Sequence, residues 1–108
     1  MTRSKWIGTF AGIIAVSAAL AYAGGSESKG KFHFKKTCKP CHLKNARAGE
    51  VTPLTKTQEQ WQRYFKLGTH NKGTEKLSTF MTPEQLVDVQ TFLVNHAADS
   101  PQPETCGG

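Results

Sequence analysis

The chain of 108 residues has three cysteines and two methionines. No second C-x-x-C and no H-x3-5-H pair accompanies Cys38 and Cys41, so a tetrahedral zinc site lacks its other ligands. Strand-like alternation and internal repeats are missing, which argues against sheet folds and solenoids. The length limits the chain to one domain. Between Glu27 and Glu50 there is no acid at all. No paired acid and base stand out for catalysis, and the chain is not read as an enzyme.

Apolar residues run long only at the start. Arg3 and Lys5 precede a stretch from Trp6 to Ala19 in which only Thr9 and Ser17 are polar, and Ala21-Tyr22-Ala23 has the small-x-small form of a cleavage site. Residues 1–23 therefore read as a secretory signal, with export to the periplasm or beyond. Uncut, Trp6 to Ala23 is just long enough to anchor the chain in a membrane. No cysteine ends the run, so a lipoprotein is not indicated. The expected plan is a signal at 1–23, a flexible mature N-terminus at 24–29, a folded domain at 30–97 and a flexible tail at 98–108. So small an exported domain usually adds disulfides, a metal or a cofactor to its core.

Positive charge is the surplus. Without Arg3 and Lys5, 12 cations remain of the 14, against 8 acids, a net of +4. Lys29, Lys31, Lys35, Lys36, Lys39, Lys44 and Arg47 surround the cysteine pair. A solvated basic face accounts for this. A docking patch that steers acidic-surfaced partners accounts for it equally. Nucleic acid is not expected of an exported chain with so few aromatics among its lysines.

An all-α fold of about three helices follows from capping signals. The first helix is expected over about 29–37, running into the cysteines. A loop follows over 43–56. Thr57 to Gln60 has capping-box form, with Trp61, Tyr64 and Phe65 at helical spacing and Gly68 as the C-terminal cap. Residues 69–80 read as a polar loop. Thr82, Pro83 and Gln85 open the last helix, whose Leu86, Val89, Phe92, Leu93 and His96 share a face. Met81 and Leu86 fit a hydrophobic staple.

Cys38-Lys39-Pro40-Cys41-His42 is the attachment signature for covalent haem. Two thiols three positions apart on one turn reach the two vinyl groups of one porphyrin, and His42 is then held beneath the iron as its proximal ligand. Three other readings compete. Cys-Lys-Pro-Cys resembles a thiol-exchange site, in which a helix N-terminus lowers the thiol pKa, but the thioredoxin-like fold needs a sheet. Zinc lacks ligands. A Cys38–Cys41 disulfide closes too small a loop to constrain the chain much.

Gly30, Phe34, Cys38, Cys41 and His42, with Phe92-Leu93 on the last helix, resemble the pattern of class I c-type cytochromes. The resemblance spans roughly residues 30–96. It implies that the first and last helices cross, with Gly30 letting the backbones approach while Phe34 packs on Phe92. Thr52-Pro53-Leu54 resembles the family's Gly-Pro-x-Leu loop, which implies that the Pro53 carbonyl accepts a hydrogen bond from His42 Nδ1–H. Thr52 stands where the family has glycine.

The family's sixth ligand is a methionine before the last helix. Met81 is the only methionine outside the signal, and it falls close to that helix, in the staple position. His70, in the loop after Gly68, is the other candidate. His33 is expected to face solvent and His96 to cap the last helix. The resemblance implies one haem c with its iron and transfer of single electrons between redox partners. A gas-binding or peroxidatic haem protein with an open sixth site is the alternative, and a disulfide oxidoreductase a more distant one. Cys106 is left over, an odd thiol that could pair with a partner.

Overall fold

A computed structural model describes residues 24–104. The expected signal at 1–23 and Cys106 lie outside the described residues. Within them the order is α1 (Glu27–His33), a wider π-helical turn (Phe34–Cys38), a 3-10 turn (Pro53–Thr55), α2 (Gln58–Leu67), β1 (Thr69–His70), β2 (Glu75–Lys76), a second 3-10 turn (Leu77–Thr79) and α3 (Pro83–Asn95). The fold is small and all-α, apart from the hairpin of β1 and β2.

Helix starts coincide with side chains that satisfy the free amides of the first turn. Thr57 opens α2 and Thr82 opens α3, each in a reciprocal capping box with a glutamine three residues on. Gly68 closes α2 in the left-handed conformation, with φ of 68°. The first helix begins earlier than its spacing suggests. Ser26 caps it by accepting from Lys29 N–H, and the Ser26 N–H donates to Asp88 Oδ1 at 2.8 Å. Residues 26–29, part of the stretch 24–29 expected to be flexible, are thus hydrogen-bonded within α1 and to α3.

Helix α1 packs principally on α3, and α2 also lies on α3. The crossing depends on Gly30. A Cβ there would lie 1.9 Å from the Asp88 carbonyl oxygen and 3.0 Å from Phe92 Cβ, so only glycine permits this approach. One turn on, Phe34 meets Phe92 with ring centroids 5.8 Å apart. Val89, Leu93, Val94 and Ala97 complete a core in which Trp61 and Met81 are also buried.

The segment after α3 folds back. Ala98 N–H donates to the Lys56 carbonyl and Glu104 N–H to the His96 carbonyl. His96 lies 2.8 Å from both Glu27 Oε1 and the Gln102 carbonyl, so it bridges α1 to the returning chain besides ending α3. The tail expected to be loose from residue 98 is held as far as Glu104.

The loop expected over 69–80 contains the two-stranded hairpin, with Thr69 opposite Lys76 and His70 opposite Glu75. Asn71, Lys72 and Gly73 all have positive φ, between 55° and 87°, and turn the chain tightly between the strands. Two-residue strands are too short to carry the alternation by which strands are read in a sequence.

Candidate functional site

The wide turn delivers the cysteine motif. Lys39 N–H donates to the Phe34 carbonyl, five residues back, at 3.0 Å. Widened turns of this kind recur at functional sites in helices. The chain then tightens, with the Cys41 and His42 amides both 3.2 Å from the Cys38 carbonyl. Cys38, Cys41 and His42 thereby occupy one turn, as their spacing predicts. Cys38 is half-buried, Cys41 exposed, and both thiols are free.

Burial, reinforced by the neighbouring Cys41, pushes the Cys38 thiol up to about 11. Thiol-exchange nucleophiles need the opposite shift. The sheet among the described residues is the two-residue β1–β2 hairpin alone, so the oxidoreductase reading gains no support from the fold. No cluster of three or more histidine, cysteine or acidic ligands suited to a metal ion forms among the described residues.

All three motif residues line a cavity of about 280 Å³, whose wall is mainly apolar. Phe34, Trp61, Tyr64, Phe65, Met81 and Leu93 are among the apolar and aromatic residues of that wall, and His70 and Phe80 line it too. Trp61 and Tyr64 stand edge to face at 5.9 Å, with the Lys56 ammonium within 6 Å of both rings. The wall and Cys38 push the Tyr64 hydroxyl up to about 12, with burial the larger cause. Of these residues the helical spacing marked Trp61, Tyr64 and Phe65 as one face, while Phe80 and Lys56 carried no signal.

His42 is oriented by a different carbonyl from the one expected. Its Nδ1–H donates to the Gly49 carbonyl at 2.9 Å. The Pro53 carbonyl instead accepts from Trp61 Nε1–H at 2.9 Å, in a buried bond. Two local features cause the change. Thr52 caps the 3-10 turn that Pro53 begins, which fixes the direction of that carbonyl. The buried indole N–H needs an acceptor, and Pro53 supplies it. Gly49, at φ of 88°, turns its own carbonyl onto His42. The expected effect survives the substitution of partner: a carbonyl can only accept, so the neutral His42 ring carries its proton on Nδ1 and leaves Nε2 as a lone pair.

Both distal candidates reach the cavity. Met81 is buried, 6 % exposed, within the core cluster. His70 is half-buried; its ring lies 5.9 Å from that of His42 and 5.8 Å from that of Phe80. Its Nδ1 is 3.2 Å from Glu75 Oε1, its partner across the hairpin. His33 stays away from the cavity, edge-on to Phe32.

No family model matches the chain, and no solved structure does. Among characterised proteins it is similar to the dehydrogenase subunit of a quinone alcohol dehydrogenase from Gluconobacter oxydans (strain 621H), at 28% identity over 96 residues. The match takes in 82% of this chain but only 13% of that subunit. No described helix is long and apolar enough to cross a membrane.

Proposed function

We propose that this protein is an exported monohaem c-type cytochrome that passes single electrons between redox partners. The observation that carries the reading is the placement of Cys38, Cys41 and His42 on one turn that lines an apolar, aromatic-walled cavity. The donor set fits: two free thiols at attachment spacing and an imidazole whose tautomer leaves Nε2 available.

Cys38 and Cys41 would hold haem c by thioether bonds, and His42 would ligate its iron. Bound there, haem supplies a one-electron ferric–ferrous couple. The chain's own residues do the rest. The Gly49 carbonyl fixes the orientation of His42 and raises its basicity. Phe34, Trp61 and Leu93 exclude water. This lowers the local dielectric, so little solvent has to reorganise when the charge changes. Lys35, Lys36 and Lys39 lie next to the motif without acidic neighbours in the chain, which suits docking to acidic surfaces. Transfer to such a partner should slow steeply as salt is added.

The relative's name supports the redox class, since oxidation of an alcohol with a quinone as acceptor moves electrons. The chain matches too little of that subunit for its alcohol-oxidising activity to be carried over. Expression in a host with haem-attachment machinery tests the proposal. A c-type pyridine haemochrome spectrum, with haem retained on a denaturing gel, is the expected result. A colourless product from such a host would overturn it.

A further inference from the structure

We propose that His70 is the second axial ligand of the haem iron, held in place by Glu75, so that the site is a bis-histidine centre. The inference rests on the haem reading above and deepens it.

Three observations point the same way. The first is spacing. Two metal–imidazole bonds of about 2 Å, with the half-width of each ring added, separate the centroids of an axial pair by roughly 6 Å. The His42 and His70 centroids are 5.9 Å apart, with ring planes at 86°. Both rings line the same cavity.

The second is the state of the ring nitrogens. His42 Nδ1–H donates to the Gly49 carbonyl, and His70 Nδ1–H donates to Glu75 Oε1. A carboxylate accepts but does not donate. Each imidazole in its neutral form therefore has its Nδ1 engaged and its Nε2 left as a lone pair. Metal-bound histidines are commonly oriented in this way by a carbonyl or a carboxylate at the other nitrogen.

The third is local construction. His70 stands on β1, Glu75 on β2, and the pairing sets them opposite each other. Leu77 N–H donates to the Gly68 carbonyl at 2.9 Å and fastens the base of the hairpin to the end of α2. So short a hairpin buries little by itself; what it does is present a carboxylate-oriented imidazole to the cavity. Met81 has a different occupation. It is packed with the buried apolar residues one position before the Thr82 cap of α3, and Leu86 packs on the same cluster.

Spectra of the holoprotein test this directly. The oxidised wild type should be low-spin, without the weak long-wavelength band of a methionine–iron bond. His70→Ala should turn it high-spin and let the reduced form bind carbon monoxide without denaturant. Met81→Leu, which nearly conserves volume, should leave the ligand spectrum unchanged. Glu75 acts as a positioning residue. Glu75→Ala should raise the midpoint potential and increase carbon monoxide affinity about tenfold, and Glu75→Gln should restore part of both. A methionine band that Met81→Leu abolishes would overturn the proposal, and so would a low-spin spectrum that survives His70→Ala. Either result would leave the haem reading intact, whereas a colourless wild type would remove the reading itself.

Discussion

The crossing of α1 on α3 and the cavity wall opposite it are built on different principles. At the crossing, protein meets protein. Gly30 presses on the Asp88 carbonyl, Phe34 lies on Phe92, and Ser26 is tied to Asp88. The other side joins α2 to short pieces, two 3-10 turns and a hairpin, with aromatic rings lining a space rather than filling it. The crossing is complete as polypeptide. The wall encloses a cavity, and a buried bond from Trp61 Nε1–H to the Pro53 carbonyl ties α2 to the 3-10 turn beside it.

Substitutions on the two sides should differ accordingly. The largest loss is expected at Gly30. In an exposed helix, replacing glycine by alanine stabilises by about 1 kcal/mol. Here the added methyl meets a backbone carbonyl that cannot turn away, so Gly30→Ala should destabilise by roughly 3 kcal/mol and lower Tm by about 10 °C or more. A variant as stable as wild type by thermal denaturation would show that the crossing is looser than described. On the wall, Trp61→Phe leaves the Pro53 carbonyl buried without its donor. A loss of about 2 kcal/mol in denaturant titration is expected. An unchanged midpoint would mean that water reaches that carbonyl.

Smaller effects sharpen the contrast. Thr82→Ala at the start of α3 and Thr57→Ala at the start of α2 each remove one capping box, and each should cost about 1 kcal/mol. Because caps act locally, the two losses should match although one helix belongs to the crossing and the other to the wall. A clear inequality would show that one helix start depends on more than its cap.

The smallest effect concerns Glu27, which joins α1 to His96. Burial disfavours its charged form, but hydrogen bonds from His96 and Asn95 outweigh that and hold it below the ordinary carboxyl value of 4.5. The bonded carboxylate therefore contributes stability above that value and loses it as pH falls through the lowered one. Glu27→Gln should lower Tm slightly near neutrality and converge with wild type in acid. A gap that widens on acidification would contradict this.

The same contrast explains what could be read beforehand. The starts of α2 and α3 were legible to the residue because threonine and glutamine at fixed offsets satisfy amides that every helix start exposes. Gly30 and the Phe34–Phe92 pair were legible from their resemblance to a known pattern. The start of α1 was missed because its anchor, Asp88, is 62 residues away. The partner of His42 was misassigned because the choice between two carbonyls turns on the demand of Trp61 for an acceptor, which only the assembled wall makes visible. Glu75 gave no signal, since a single acid in a polar loop matters only once the hairpin sets it opposite His70.

The wide turn at Phe34–Cys38 has a further consequence. An α-helix advances about 100° per residue, and a turn closed over five residues advances less. Across this stretch the chain falls behind in phase. In uniform winding, residues four apart drift by about 40° at each step, so Cys38 would stand about 80° round from Gly30; the slower turn takes back part of that drift. The wide turn thus keeps Gly30, Phe34 and Cys38 nearer to one line along the rod, and the cysteine motif starts beside Phe34, which lines the same cavity as Cys38.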